Sequence, residues 1–201
     1  MQLPLKMNNS EFYNYVKRIF DLSIVIILLP ILIISMILIS FAIKLTSEGP
    51  IFFWSKRIGY KNRIFLMPKF RTMKTNAPIV ATHLMKKPDE FLYPIGKCLR
   101  QTSLDEIPQI WSIFIGDMSF VGPRPALFNQ DDLINLRAEK GVNKLIPGLT
   151  GWAQVNGRDE LPIPDKVSLD FEYLEKRSFW FDIYIIWLTL LKVLKKENIT
   201  H

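Results

Sequence analysis

The chain has very little with which to hold a soft metal or a disulfide. Among 201 residues there is one cysteine, Cys98, and there are two histidines, His83 and His201. A single cysteine excludes an internal disulfide and suits a reducing or indifferent compartment. With no Cys-x-x-Cys pair and no histidine cluster, the composition argues against zinc. There is also no Gly-x-Gly-x-x-Gly fingerprint and no Walker lysine, so neither a dinucleotide fold nor a P-loop ATPase fits. Charge is missing altogether from Leu22 to Ile43, a run of 22 residues. As helix this run is about 33 Å long, enough to cross a hydrocarbon core. It comes too late and runs too long for a signal segment, and no cleavage-site pattern precedes it, so it is read as mature structure.

Hydrophobic residues make up 49% of the chain, and the excess sits in that N-terminal block. The remainder suits one domain with a real core. A formal net charge of +7 suits anionic partners: phospholipid headgroups, a nucleotide or nucleic acid. Pro30 lies inside the apolar run, removes one backbone hydrogen bond and predicts a kink. Lys17 and Arg18 precede the run and Lys44 follows it. Hydropathy alone favours simple spanning, because proline kinks are tolerated in spanning helices. A re-entrant hairpin would instead keep both cationic ends on one side, whereas a spanning helix usually has one cation-rich flank.

The stretch from Arg100 to Pro125 organises the rest. Ser103 with Glu106 three residues on is a capping-box pattern, which puts Asp105 in the first turn of a helix. Both a carboxylate and a phosphate can be held at such a helix start. Arg124, between Pro123 and Pro125, sits on stiff backbone and offers a forked, permanently charged group to a phosphate. A carboxylate that attacks phosphorus needs neighbouring cations or a metal ion, because its own charge repels the electrophile. The plain alternative is that Asp105 and Glu106 lie on a solvated helix face. Successive helix residues point about 100° apart, so the two cannot share one proton as a facing pair would.

Elsewhere, Ile51 to Trp54 and Ile64 to Met67 read as short strands around a basic turn. That turn is equally a nucleic-acid patch or a surface facing lipid headgroups. Lys69 and Arg71 fall on one side of an extended strand, with Phe70 opposite. Residues 74–92 read as a variable loop, with His83 incidental. Ile107 to Ile115 predicts an amphipathic helix with Trp111 buried, and Pro108 moves its start a residue or two later. Residues 126–146 predict a surface helix packed by Leu133, Ile134 and Leu136, without chemistry. The glycines between Pro147 and Arg158 permit close approach to a nucleotide but also mark ordinary turns. Residues 159–168 read as a second variable loop. Asp170, Tyr173 and Asp182 read as structural hydrogen-bond formers as readily as site residues. Phe179 to Leu194 is short for spanning and predicts an interfacial or core helix with a tryptophan belt.

Six segments in order resemble the small monotopic phosphoglycosyl transferases, the bacterial sugar transferases that initiate glycan assembly on a polyprenol carrier. They are Lys17-Arg18-Ile19-Phe20-Asp21, Gly49-Pro50-Ile51-Phe52-Phe53, Lys69-Phe70-Arg71-Thr72-Met73, Ser103-Leu104-Asp105-Glu106, Gly116 to Pro125, and Pro147 to Arg158. Two departures are Ser55, where the family usually has glutamine, and Leu29, where it usually has serine before the proline. The resemblance implies an α/β fold. Residues 1–46 would form a re-entrant helix–break–helix anchor, marked by Lys17, Arg18 and a break near Pro30, that does not cross the membrane. Residues 47–201 would form a mixed catalytic domain with short strands and interfacial helices, on the cytoplasmic face of the bacterial inner membrane. It further implies transfer of a sugar-1-phosphate from a UDP-sugar to undecaprenyl phosphate, with release of UMP. Asp105 would be the nucleophile and Glu106 would assist or position the acceptor. Lys69, Arg71, Arg100 and Arg124 would hold phosphates, and Gln154, Asn156 and Arg158 would contact the nucleotide sugar. Mg²⁺ would be held by Asp105 and the donor phosphates. The partners implied are donor, acceptor and membrane lipids, with no nucleic acid, and a homodimer is compatible. The other readings are a basic, membrane-anchored binding module without catalysis and a phosphohydrolase using the same carboxylate.

Overall fold

The computed structural model describes residues 9–74, 77, 88–157 and 161–194. One helix, α1 (Asn9–Thr46), leads into a mixed body of short strands and helices. Its apolar residues from Ile26 to Ile34 are largely uncovered by protein. The sequence led to a helix broken at Pro30, but α1 is a single helix of 38 residues with Pro30 inside it. Proline deprives the helix of one donor and crowds one carbonyl.

Strands β1 (Phe52–Ile58) and β2 (Ile64–Phe70) form an antiparallel hairpin, each longer than its apolar core suggested. Helix α2 (Pro94–Gln101) starts with proline at its first position, where the missing N–H is not needed. A 3-10 segment, Leu104–Gln109, contains Pro108, and α3 (Ile110–Ile115) begins only after it. The proline therefore delays the α-helix as expected. Gly116 ends α3 at φ 96°, the left-handed conformation in which glycine alone is unstrained.

Next come β3 (Ser119–Val121), α4 (Asp131–Glu139), β4 (Gly148–Thr150), α5 (Trp152–Val155), α6 (Ile163–Lys176) and α7 (Phe179–Leu194). Strands β3 and β4 pair in parallel. The glycines of this region serve the protein's own packing. A Cβ on Gly148 would lie 2.1 Å from the Gly122 nitrogen, and one on Gly151 would lie 2.1 Å from the Gly122 oxygen. Helix α6 occupies part of the stretch read as a variable loop, while α7 has the bounds its apolar pattern indicated.

Both arms of α1 pack on the same body. On the N-terminal side, Val25 shares a core with Met67, Ile113 and Met118. On the C-terminal side, Ile43 shares one with Phe70 and Leu99, flanked by Met36 and Ile39. Polar ties reinforce the N-terminal arm. Lys17 pairs with Asp182, and the Arg18 guanidinium donates to the Ile113 and Phe114 carbonyls at the end of α3, at 2.6 and 2.7 Å. Cations at a helix C-terminus satisfy its last carbonyls and its dipole. Lys17 and Arg18, expected as anchor residues, are thus engaged by protein. Tyr173 also donates to Asp182, at 2.7 Å, which gives Asp182 and Tyr173 their structural role.

Candidate active site

The capping box does not form. Ser103 sits at φ 56°, in the left-handed region, and makes no side-chain cap. Glu106 is drawn instead towards two cations. Its Oε1 accepts from Lys69 Nζ at 2.6 Å and from Arg124 Nη2 at 2.9 Å. Asp105 is 5% exposed, and its Oδ2 lies 3.9 Å from the same Lys69 Nζ. The carboxylates do not face each other, yet one lysine from the end of β2 serves both.

Asp105 Oδ1 is buried and has no hydrogen-bond partner in the protein. Such an atom is costly unless something arrives to meet it. Arg100 lies close enough for its charge to act on Asp105, and its Nε donates to Thr72 Oγ1 at 3.0 Å. Two carboxylates therefore sit among three cations, Lys69, Arg100 and Arg124. The arrangement carries a net positive charge before any ligand enters.

The two carboxyl groups are pushed in opposite directions. Burial raises the Asp105 pKa above the ordinary carboxylate range, aided by the Glu106 charge and opposed by Lys69. Burial also acts upward on Glu106, but Arg124 and Lys69 together overcome it and hold its pKa well below the ordinary range. Glu106 is thus a fixed anion that orients two cations.

The Arg124 loop is clamped from behind. Arg137 Nη1 donates to the Arg124 carbonyl at 2.8 Å, and Arg57 Nη1 donates to the Pro125 carbonyl at 3.1 Å. Arg137 in turn donates Nε and Nη2 to Asp170 Oδ2, at 2.9 and 2.6 Å, deep in the protein. The helix read as free of chemistry supplies this clamp, and Leu133 is its buried apolar contact. Arg57 also donates to Ser55 Oγ at 3.0 Å, which gives Ser55 a place beneath the same loop.

Other expected site residues have contacts of their own. Arg71 follows the end of β2. Its Nη1 donates to the Tyr93 hydroxyl at 3.3 Å and its Nη2 to Ser47 Oγ at 3.1 Å, so it ties the end of α1 to the body. Gln154 is buried against the Gly122 turn, with neither amide atom partnered in the protein. Asn156 Nδ2 bonds back to the Trp152 carbonyl. Arg158 lies outside the described residues. Trp111, expected in the core, is 52% exposed and lies tilted beside the Phe114 ring.

Among the described residues no group of three or more histidine, cysteine or acidic side chains forms a metal cluster. One unpartnered carboxylate oxygen still fits a hard cation such as Mg²⁺, which takes few protein ligands and completes its shell with phosphate and water.

The chain matches the bacterial sugar transferase family over residues 12–196. An undecaprenyl-phosphate glucose phosphotransferase of Komagataeibacter xylinus is 38% identical over 94% of this chain and 38% of its own length. A UDP-glucose:undecaprenyl-phosphate glucose-1-phosphate transferase of Escherichia coli is 38% identical over 91% of this chain and 41% of its own length. The chain thus spans about two-fifths of these two relatives. An uncharacterised sugar transferase of Bacillus subtilis is 38% identical over 91% of this chain and 89% of its own length. With the family match covering nearly the whole chain, including every described residue of the Asp105 site, the protein belongs to the bacterial sugar transferases.

Proposed function

We propose that this protein is a phosphoglycosyl transferase that moves a sugar-1-phosphate from a UDP-sugar to undecaprenyl phosphate and releases UMP. The observation that carries the reading is Asp105: a buried carboxylate with one unpartnered oxygen, beside Lys69, Arg100 and Arg124. Relatives whose names state undecaprenyl-phosphate and UDP-glucose as substrates support the donor and acceptor classes.

In this reading Asp105 attacks the β-phosphorus of the donor. A bond forms between the carboxylate oxygen and phosphorus, the bridging P–O bond breaks, and UMP leaves with its electron pair. The enzyme then carries an aspartyl-phosphosugar. An oxygen of the lipid phosphate attacks the same phosphorus, the acyl-phosphate bond breaks, and Asp105 is returned as a carboxylate. Lys69, Arg100 and Arg124 neutralise phosphate charge, and Glu106 holds Lys69 and Arg124 in place. Gln154, with both amide atoms unpartnered, is the candidate contact for the nucleotide sugar. A Mg²⁺ held by Asp105 and the donor pyrophosphate would supply further charge neutralisation when bound.

The acceptor lives in a bilayer, and α1 is the one described helix long and apolar enough to enter it. A re-entrant seat for α1, with both ends on the cytoplasmic face of the inner membrane, requires the continuous helix to bend at Pro30, and its packing is in keeping with that. Residues on both sides of Pro30 contact the same body.

The test is intact-protein mass spectrometry on detergent-purified protein mixed with UDP-sugars and Mg²⁺ without lipid acceptor. The expected result is an adduct of sugar-phosphate mass on Asp105, lost in Asp105→Asn. Turnover with undecaprenyl phosphate but no adduct would sink the covalent scheme. Sustained UMP release without any acceptor would instead make the protein a phosphohydrolase.

A further inference from the structure

One face of the β1–β2 hairpin is apolar; its Pro68 and Phe70 are buried and its Ile58 packs on the body, while Trp54, Ile64 and Leu66 are left exposed. Its register sets Trp54 against Pro68, Lys56 against Leu66 and Ile58 against Ile64 on one side, with Phe52 against Phe70 at the end. Residues directly opposite in an antiparallel pair share a face. On this face Trp54 is 51% exposed, Leu66 52% and Ile64 61%. The other face is the inward one, where Ser55 and Met67 are buried. A two-stranded sheet packed on one side normally shows polar residues to water on the other, and here the exposed side is apolar as well.

Two further observations say what covers it. The first is charge: Lys56 stands within the apolar face, and Lys61 and Arg63 are exposed in the turn that closes it. Lys61 Nζ lies 5.2 Å from the centre of the Tyr60 ring. Tryptophan, tyrosine, branched aliphatics and lysine or arginine together suit the boundary of an anionic bilayer, rings and aliphatics below and cations at headgroup level. The second is continuity. Phe52 stacks on Phe70 at 5.4 Å, and Phe70 packs in one cluster with Ile43, Ile39 and Met36 of α1. Phe70 and Ile43 are themselves buried, so this contact seats the exposed Phe52 end of the hairpin directly against the C-terminal arm of α1.

We infer that this face is a second membrane-contact surface. Trp54, Ile64 and Leu66 enter the headgroup–acyl boundary of the leaflet that holds α1, and Lys56, Lys61 and Arg63 meet anionic headgroups. The inference rests on the reading that α1 is membrane-anchored. It also gives the hairpin a task at the active site. Phe53 and Lys69 pair on the inward face, so the strand that presents Lys69 to Asp105 and Glu106 lies directly over the lipid.

The experiment uses the full chain in nanodiscs of phosphatidylcholine and phosphatidylglycerol. Cys98 is exposed, so a Cys98→Ser background carries single spin-labelled cysteines at exposed positions: Leu66→Cys on the hairpin, Ile27→Cys on α1 and Asn135→Cys on α4. Collision with oxygen reports lipid, and collision with a water-soluble nickel chelate reports solvent. The expected result is an oxygen-to-nickel ratio for Leu66→Cys severalfold above that of Asn135→Cys and on the side of Ile27→Cys. A Leu66→Cys ratio equal to that of Asn135→Cys, with Ile27→Cys still in lipid, overturns the hairpin contact and leaves the anchor standing. Nickel access at Ile27→Cys overturns the anchor reading and the hairpin contact with it. Strong dipolar broadening between Leu66→Cys labels shows a second copy on the face and overturns the lipid contact.

Discussion

Two buried cation–carboxylate groups lie on either side of the Pro123–Pro125 loop, and they are built differently. Behind the loop, Arg137 and Asp170 form a closed one-to-one pair whose remaining donor fixes the Arg124 carbonyl. In front of it, Lys69, Arg100 and Arg124 outnumber Asp105 and Glu106, and Asp105 Oδ1 is left unpartnered. A buried pair that closes on itself serves the fold. One that keeps surplus positive charge and an open oxygen suits the anionic donor and the nucleophile proposed above. Arg124 belongs to both, with its backbone held by the first group and its guanidinium given to the second.

The sharpest way to break this contrast is Asp105→Asn. It should lower kcat/KM by ~10⁴-fold or more. Thermal unfolding should be unchanged or slightly raised, because burial of the ionised carboxylate is what the substitution removes. A residual activity above about a tenth would exclude Asp105 as nucleophile. Arg137→Met should act on stability instead, because it strands the Asp170 charge in the interior. A loss of about 3–5 kcal/mol is expected in denaturant titration. The double variant Arg137→Met with Asp170→Leu should recover much of it, and no recovery would mean that the pair is not the unit described.

Lys69→Met should fall between these. Glu106 keeps Arg124, so the fold should persist while kcat/KM drops about 10²–10³-fold, as for loss of one aligned charge donor. Wild-type fold with wild-type rate would remove Lys69 from the site.

The pH dependence sharpens the comparison further. Asp105 must be ionised to attack, and its pKa is raised by burial, so the rate should fall as pH drops through a value above the ordinary ~3.9. Stability behaves in the opposite sense for the two groups. The contribution of Asp105 is present below its unfolded pKa and lost as pH rises through the raised folded one. That of Glu106, whose folded pKa is lowered, is present above its unfolded pKa and lost only as pH falls through the depressed value. An acid limb of kcat/KM at or below the ordinary carboxylate range would contradict the assignment. The smallest effect expected is from Trp111→Ser in detergent, within about 0.5 kcal/mol in stability, since the ring is half-exposed.

Much of the molecule is legible from local pattern. The hairpin, the delay of α3 by Pro108 and both ends of α7 follow from apolar spacing and proline chemistry. Lys69, Asp105, Glu106 and Arg124 are brought together as their motifs suggest, although those motifs are distant in sequence. What local pattern misses is decided by partners far along the chain. Asp170 reads as a structural hydrogen-bond former from the sequence, but its partner Arg137 lies 33 residues away and nothing local names it. Arg71 has the spacing of a phosphate ligand, and local pattern does not show that it also donates to Tyr93 and Ser47 while its Nε stays unpartnered. Ser103 and Glu106 have capping-box spacing, but two cations outweigh one backbone N–H for Glu106. Trp111 is apolar in a short helix, and burial follows only if protein covers that side.

The Arg18 bonds to the end of α3 have one more consequence. The same guanidinium that steadies α3 joins α1 to the segment immediately downstream of Asp105 and Glu106, and Ile43 ties the far arm to Phe70, next to Lys69. Anchor and reactive centre are therefore clamped as one rigid piece on both sides of Pro30. If α1 is seated in lipid as proposed, its depth sets the height of Asp105 above the acyl chains. Under the proposed function the helix would act as a gauge, and the acceptor phosphate would have to come to the level it sets.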